Sequence, residues 1–484
     1  MKRWLKILTK VQTALLYLLP IVIFFSYHPA IMLGTNDSMN FELSLPLIWL
    51  LIFALVNLPT LPSVVKKTQL KRWQIVTLSL FPLYLFLSIL WSPNLPRAIL
   101  TAGIFGCLII SILALPRLVT SQTIKNRLVK VFLTASVLIA VWCWVQSILD
   151  VAGFPTTHTL ACQGCTTNSF GFPHPNGFAI EPQFMGNLLL APTLLALYLF
   201  FHSNQKRWAR TRLLALTIFL ATTLFFTFSR GAIYAFCIAL AIIVVAELVR
   251  PLSKKSTKQR PVILMTIPIM VISLLFSITM QGVFATLSPT TDDFWSGVTK
   301  SIHQLSLGKI DLRPAVPADI VVENTTIEPA PETEATQPST PSASTFDGYV
   351  AESTNFRLHL TESSLKTWSS HPQTILIGTG LGGAGIALHQ AGYTNHPKEI
   401  TQNQYTEVLL ELGLIGTLLL VVAIITIFSI VHPLLKQSSA YYYLLALVVS
   451  YAATLGFFSG LPNALHIYLL PPMVFWLLKS PTKH

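Results

Sequence analysis

Two arginines in this chain sit where a charge is costly, which makes them the first candidates for chemistry. Arg230 lies in Thr227-Phe228-Ser229-Arg230-Gly231-Ala232, a tight turn between two apolar runs with no other charge nearby. A guanidinium there matches a phosphate bidentately and keeps its charge in a low-dielectric setting. The alternative is an interfacial arginine snorkelling to lipid headgroups. Arg357 lies in Thr354-Asn355-Phe356-Arg357, ahead of Leu358, Leu365 and Trp368 at near-helical spacing. That segment reads as an amphipathic helix on a membrane surface, and Arg357 and Lys366 either meet an anion or decorate its wet face. The cluster Gly378-Thr379-Gly380-Leu381-Gly382-Gly383 follows; its amides suit a bound anion, or the glycines simply allow a tight loop. His389 and His396 titrate near neutrality and are candidate general bases, although surface histidines are common. His174, in Phe172-Pro173-His174-Pro175-Asn176-Gly177, and Glu181 stand just before another apolar run. A carboxylate at that point either contacts sugar hydroxyls and assists proton transfer or plays a capping role.

The elements that must hold these residues are membrane helices. The composition is 52% hydrophobic and 11% charged, too apolar for a water-soluble surface. A helix crossing hydrocarbon needs about 20 mostly apolar residues. Twelve runs qualify: 10–33, 43–62, 73–91, 97–117, 128–149, 183–202, 211–229, 231–249, 261–281, 404–431, 439–459 and 461–478. Of the 32 Lys and Arg, 24 fall before the first run, after the last or in alternate gaps, and only Glu247 among the 19 acidic residues joins them. This positive-inside asymmetry predicts an all-α polytopic membrane protein with about twelve spans and both termini cytoplasmic. The net charge of +13 reflects anchoring to the lipid bilayer, not nucleic-acid binding, because the basic residues are scattered over short loops.

This reading divides the chain into spans one to nine (1–281), a large outer loop (282–403), and spans ten to twelve with a cytoplasmic tail (404–484). Within the loop, 314–345 is rich in Pro, Thr, Ser, Glu and Ala and is expected to be a disordered insertion, leaving 346–403 as the ordered, catalytic segment. Of the five cysteines, Cys107, Cys143 and Cys237 fall in apolar runs, where they act as small hydrophobes. Cys162 and Cys165 form a lone CxxC, for which a local disulfide is favoured over zinc because no second ligand pair follows.

Taken together, several motifs resemble the O-antigen ligase and polymerase superfamily, polytopic glycosyltransferases that use undecaprenyl-diphosphate-linked glycans. They are Trp91-Ser92-Pro93-Asn94, Phe172-Pro173-His174-Pro175-Asn176, Ser229-Arg230-Gly231, Arg357, and Ile377-Gly378-Thr379-Gly380. Asn403-Gln404-Tyr405 with Glu407, and Glu411-Leu412-Gly413-Leu414-Ile415-Gly416, complete the set. The resemblance implies that Arg230 and Arg357 grip the donor diphosphate and neutralise the charge that builds as it departs. It implies substrate contacts from His174, Asn176, Glu181 and Asn403, and an acceptor hydroxyl on a glycan, lipid or protein. The scheme requires no cofactor and no metal. One departure stands out. Ligases carry a His immediately before the Asn that opens the tenth span, and this chain has Gln402, which is no base at neutral pH. The role then passes to His396, His389 or Glu407, or the chain is a polymerase or an oligosaccharyltransferase. A transporter is the reading from another class, but the chain shows no related halves.

Overall fold

Apolar runs in hydrocarbon fold as helices because the backbone has no other hydrogen-bond partners there. In the computed structural model the described part of the chain is residues 2–479, excluding 34–40, 63–69, 155, 160–161, 166–167, 170–171, 203–205, 250–259, 289–292, 311, 313–345, 398–399, 436–439 and 460–463. Its helices are α1 (Lys2–Val22), α2 (Leu45–Asn57), α3 (Arg72–Leu87), α4 (Leu95–Leu118), α5 (Gln122–Val151), α6 (Pro182–His202), α7 (Arg207–Phe226) and α8 (Arg230–Val249). They continue with α9 (Arg260–Leu287), α10 (Phe294–Leu305), α11 (Phe346–Ser369), α12 (Pro372–Ile377), α13 (Ala384–Gln390), α14 (Gln404–Leu435), α15 (Ala440–Thr454) and α16 (Leu465–Leu478).

Among the described residues, 8 helices are long and apolar enough to cross a membrane: α3 with the turn that follows it, α4 to α9, and α14. The helices α2, α15 and α16 are apolar but shorter, and with α1 they occupy the other four expected positions. The first expected span, 10–33, is corrected at its end: the helix stops at Val22, and Ala30–Leu33 pairs antiparallel with Phe41–Ser44 as a hairpin. Two further short hairpins, Thr157–Thr159 with Cys162–Cys165 and Asn168–Ser169 with Phe172–Pro173, form in the loop after α5. The insertion at 314–345 and the side chains of Cys162 and Cys165 lie outside what the structure describes. Cys107, Cys143 and Cys237 are free thiols.

The core follows from apolarity around each helix. In α6 the run Met185–Leu197 is apolar on nearly every face, and 83% of its membrane window is buried, the pattern of a central helix. It packs against α7, α8 and α15. By contrast, α3 and α14 pair with each other and bury only 17% of their windows, so they form a rim with one face toward lipid. Of the helices between α9 and α14, α10 packs on α9, and α11 and α12 both pack on α14.

Candidate active site

Arg230 owes its position to a turn that sterics make unusual. Phe228 is left-handed, with φ 48, a conformation a bulky residue adopts only when its surroundings enforce it. Here Gln304 of α10 donates from Nε2 to the Phe228 carbonyl at 3.3 Å, and the Thr227 hydroxyl donates to Leu224 O at 2.8 Å. The Ser229 carbonyl then accepts the first bond of α8 from Ile233 N. Arg230 is half-buried at the start of that helix, within electrostatic range of Tyr234. Gly231 has a packing role: a Cβ there would lie 3.3 Å from Gln183 Nε2, so glycine admits Gln183 to the turn.

Gln183 ties the second arginine to the same place. Arg357 of α11 donates from Nη2 to Gln183 Oε1 at 3.4 Å. Two guanidinium-bearing segments remote in sequence thus meet on one amide at the head of α6. The buried face of α11 is Leu360, Ser363, Ser364 and Thr367, small residues that allow close approach to α14. Leu358 and Leu365 lie on its exposed side. Lys366 is taken up by Glu362, with Nζ 2.7 Å from Oε1 on the exposed side of the helix.

The glycine cluster proves to be packing machinery. Gly413 interrupts α14 with φ 62 and ψ -168, which leaves the carbonyls of the preceding turn without helical partners. Thr379 N and Gly380 N each donate at 2.9 Å, to Leu410 O and Glu411 O, and the Tyr84 hydroxyl donates to Leu412 O at 3.0 Å. Ala384 N donates to Glu411 Oε1 at 3.3 Å. These amides are therefore spent inside the chain and are not aimed at an anion. The Trp91–Asn94 motif clamps the same loop: Ser92 Oγ donates to Leu381 O at 2.7 Å, and a Cβ on Gly380 would lie 2.6 Å from Ser92 Cα. Asn94 Oδ1 accepts from Arg97 N and so caps α4.

These contacts enclose a cavity of about 880 Å³. One part is carbon-lined, by Phe81 and Leu85 of α3, Ile104 and Phe105 of α4, and Val421 and Ile424 of α14. The other part is polar, with Arg97, Glu181, Gln402, Gln404, Tyr405, Glu407, Glu411 and Tyr468. Gln402 is left-handed, with φ 56. Glu407 accepts from the Thr401 hydroxyl at 3.2 Å. Glu181 is exposed on the cavity wall; desolvation raises its pKa above the usual carboxylate range, and the nearby Arg357 opposes that rise.

The other sequence candidates sort clearly. Asn403 caps α14, its Oδ1 accepting from Tyr405 N at 3.0 Å. Asn176 is buried, accepting from Gln146 Nε2 at 2.8 Å and donating to Ala179 O at 2.9 Å, so it braces the loop ahead of α6. His174 is buried against Gln304, with Nε2 3.3 Å from Oε1. Desolvation lowers its pKa to about 4, partly offset by that hydrogen bond. His389 and His396 are exposed, and neither lines the cavity. Sequence reasoning passed over Gln183, Arg97 and Glu411 as site residues. The signals were present: Arg97 opens α4 directly after a capping motif, and Glu411 is an acid inside an apolar span, costly unless it has a role.

Comparison with known protein families matches residues 214–421 to the family model described as O-antigen ligase. The matched stretch, somewhat less than half of the chain, is similar to an O-antigen ligase domain. No curated protein and no solved structure matches the chain. With helices long and apolar enough to cross a membrane, this similarity supports a membrane protein of polysaccharide biosynthesis and a glycosyltransferase-type enzyme. The O-antigen ligase match holds Arg230, Arg357, the glycine loop, Glu407 and Glu411, whereas Arg97, Glu181 and Gln183 reach the cavity region from outside it. Among the described residues no group of three or more His, Cys, Asp or Glu is placed to hold a metal ion.

Proposed function

We propose that the chain moves a glycan from an undecaprenyl-diphosphate donor to an acceptor hydroxyl on the outer face of the cytoplasmic membrane. The observation that carries this reading is the two-part cavity. Its carbon-lined half, walled by the lipid-facing rim pair α3 and α14, suits a polyprenyl tail. Its polar half includes Glu181, two residues before the Gln183 that holds Arg357 and packs against Gly231 beside Arg230. In the transfer step an acceptor oxygen attacks the anomeric carbon as the bond to the diphosphate breaks. Arg230 and Arg357 neutralise the charge arriving on the departing phosphate, an electrostatic contribution strongest in a site shielded from water. The asymmetry of Lys and Arg between alternate loops supports an outer-side location for this chemistry.

Among acceptors, we infer a ligase-like reaction. Gln402, standing where resembling ligases carry His, supports polymerisation as the second reading. The test is the fate of a purified lipid-diphosphate-linked glycan incubated with the protein in liposomes. Release of lipid diphosphate only when a lipid, polymer or protein acceptor is added supports transfer to that acceptor, and ladder products without one identify a polymerase. Arg230→Ala and Arg357→Ala are each expected to lower kcat/KM by about 100-fold or more, the loss typical of removing one partner of a buried charged pair. Wild-type turnover in either variant would refute the clamp.

A further inference from the structure

The cavity contains three carboxylates, and the structure distinguishes between them. Glu407 and Glu411 lie one helical turn apart on α14, and both are buried. Each accepts a hydrogen bond from within the chain, Glu407 from Thr401 Oγ1 and Glu411 from Ala384 N. Such bonds tie each of the two carboxylates to its own loop rather than presenting it to an incoming hydroxyl. Glu181 differs on both counts. Among the described residues nothing donates a hydrogen bond to its side chain, and it opens into the cavity space. Among the described residues no histidine lines the cavity, which leaves its carboxylates as the groups there able to accept a proton at neutral pH.

Glu181 is also held in place. Its carbonyl accepts from Phe184 N and Met185 N, the first bonds of α6, and Pro182 fixes the backbone at the next position. Two residues on, Gln183 holds Arg357. The carboxylate is thus mounted on the same rigid helix start as the amide that positions a diphosphate-binding arginine.

We propose that Glu181 is the general base of the transfer reaction, a role that rests on the function proposed above. The acceptor hydroxyl loses its proton to the Glu181 carboxylate while its oxygen forms the new bond to the anomeric carbon. The carbon–oxygen bond to the diphosphate breaks, and its electron pair leaves with the lipid diphosphate. Glu181 then gives the proton to water on the outer side. Desolvation opposes ionisation of Glu181 and Arg357 favours it; Arg97, Glu407 and Glu411 are the other charged side chains on the cavity wall. Tyr405 and Tyr468, also on the wall, are neutral at working pH.

The experiment uses the full chain in liposomes with a fluorescent polyprenyl-diphosphate-linked disaccharide and a hydroxyl acceptor. Donor binding, kcat and the pH–rate profile are measured for the wild type, Glu181→Gln, Glu181→Asp and Glu407→Gln. Glu181→Gln is expected to bind donor within about twofold of the wild type and to turn over about 100- to 10,000-fold more slowly, the span typical of general-base removal. Its profile should lack the acidic limb, and Glu181→Asp should recover part of the rate together with a limb. A Glu181→Gln enzyme with wild-type kcat and an intact acidic limb would overturn the assignment, as would loss of that limb in Glu407→Gln alone. A wild type that binds no lipid diphosphate would sink the proposed function itself, and this base with it.

Discussion

Replacing Gly413 by alanine tests the architecture that brings α14 to the cavity. Gly413 has φ 62 and ψ -168, a region open essentially to glycine alone, and forcing another residue there costs on the order of 1–3 kcal/mol. The added Cβ would lie 2.5 Å from both Gly378 N and Leu376 O. These are backbone atoms, so no rotamer change relieves the clash and the glycine loop must move, at about 1–3 kcal/mol for overpacking. The two effects sum to roughly 2–6 kcal/mol. At roughly 2 °C per kcal/mol for a large chain, the midpoint of thermal unfolding in detergent should fall by about 4–12 °C. Gly103→Ala is the internal comparison, because a Cβ there meets nothing within 4 Å and α4 should gain about 0.5–1 kcal/mol in helix propensity. If Gly413→Ala unfolds at the wild-type midpoint, or moves with Gly103→Ala, the kink-and-loop contact does not exist as described.

Three further predictions follow from the same contacts. Tyr84→Phe removes the hydroxyl that bonds Leu412 O at 3.0 Å and Ile377 O at 3.2 Å; calorimetry should show a loss of about 1–3 kcal/mol, below that of Gly413→Ala. Asn176→Ala strands the buried Gln146 amide and should cost about 1–3 kcal/mol, read as a lower unfolding midpoint with donor affinity reduced only through loop disorder. His174 ties stability to pH. Its folded pKa of about 4 lies below the unfolded value of 6.5, so the stabilisation is fully present above pH 6.5 and is lost as pH falls toward 4. The maximum is about 3 kcal/mol at roughly 1.4 kcal/mol per unit. The unfolding midpoint should therefore drop over that window, and His174→Asn should flatten the drop; an unchanged slope would refute the buried neutral imidazole.

Much of the fold was legible because its signals are local. Apolar run length marks helices wherever the solvent is hydrocarbon, and Lys and Arg asymmetry marks their sidedness. The motifs were legible as a set, yet their individual roles were not. Nothing in the sequence showed that Asn176 and Asn403, named as substrate contacts, also hold backbone, one locking a loop and the other capping α14. The glycines read as an anion cradle or as a tight loop, and hydrogen bonding to the α14 carbonyls decides for the loop. On α11 the periodicity of large apolar residues did not reveal which face a neighbouring helix covers: small residues pack inward, and Leu358 and Leu365 are exposed.

By itself, the sequence determined the solvent of this protein, the sidedness expected of its loops and the residue types available for anion binding, because each depends on composition within one segment. Only the tertiary structure decided which of those residues meet. Arg357 reaches Gln183 across 174 positions, and Tyr84 reaches Leu412 across 328. Of the base candidates that the sequence offered, Glu407 lies on the shared cavity with Glu181, whereas the exposed His389 and His396 lie off it. Which of them share one cavity was invisible in the chain because enclosure and neighbours are properties of packed helices, not of any one stretch of residues.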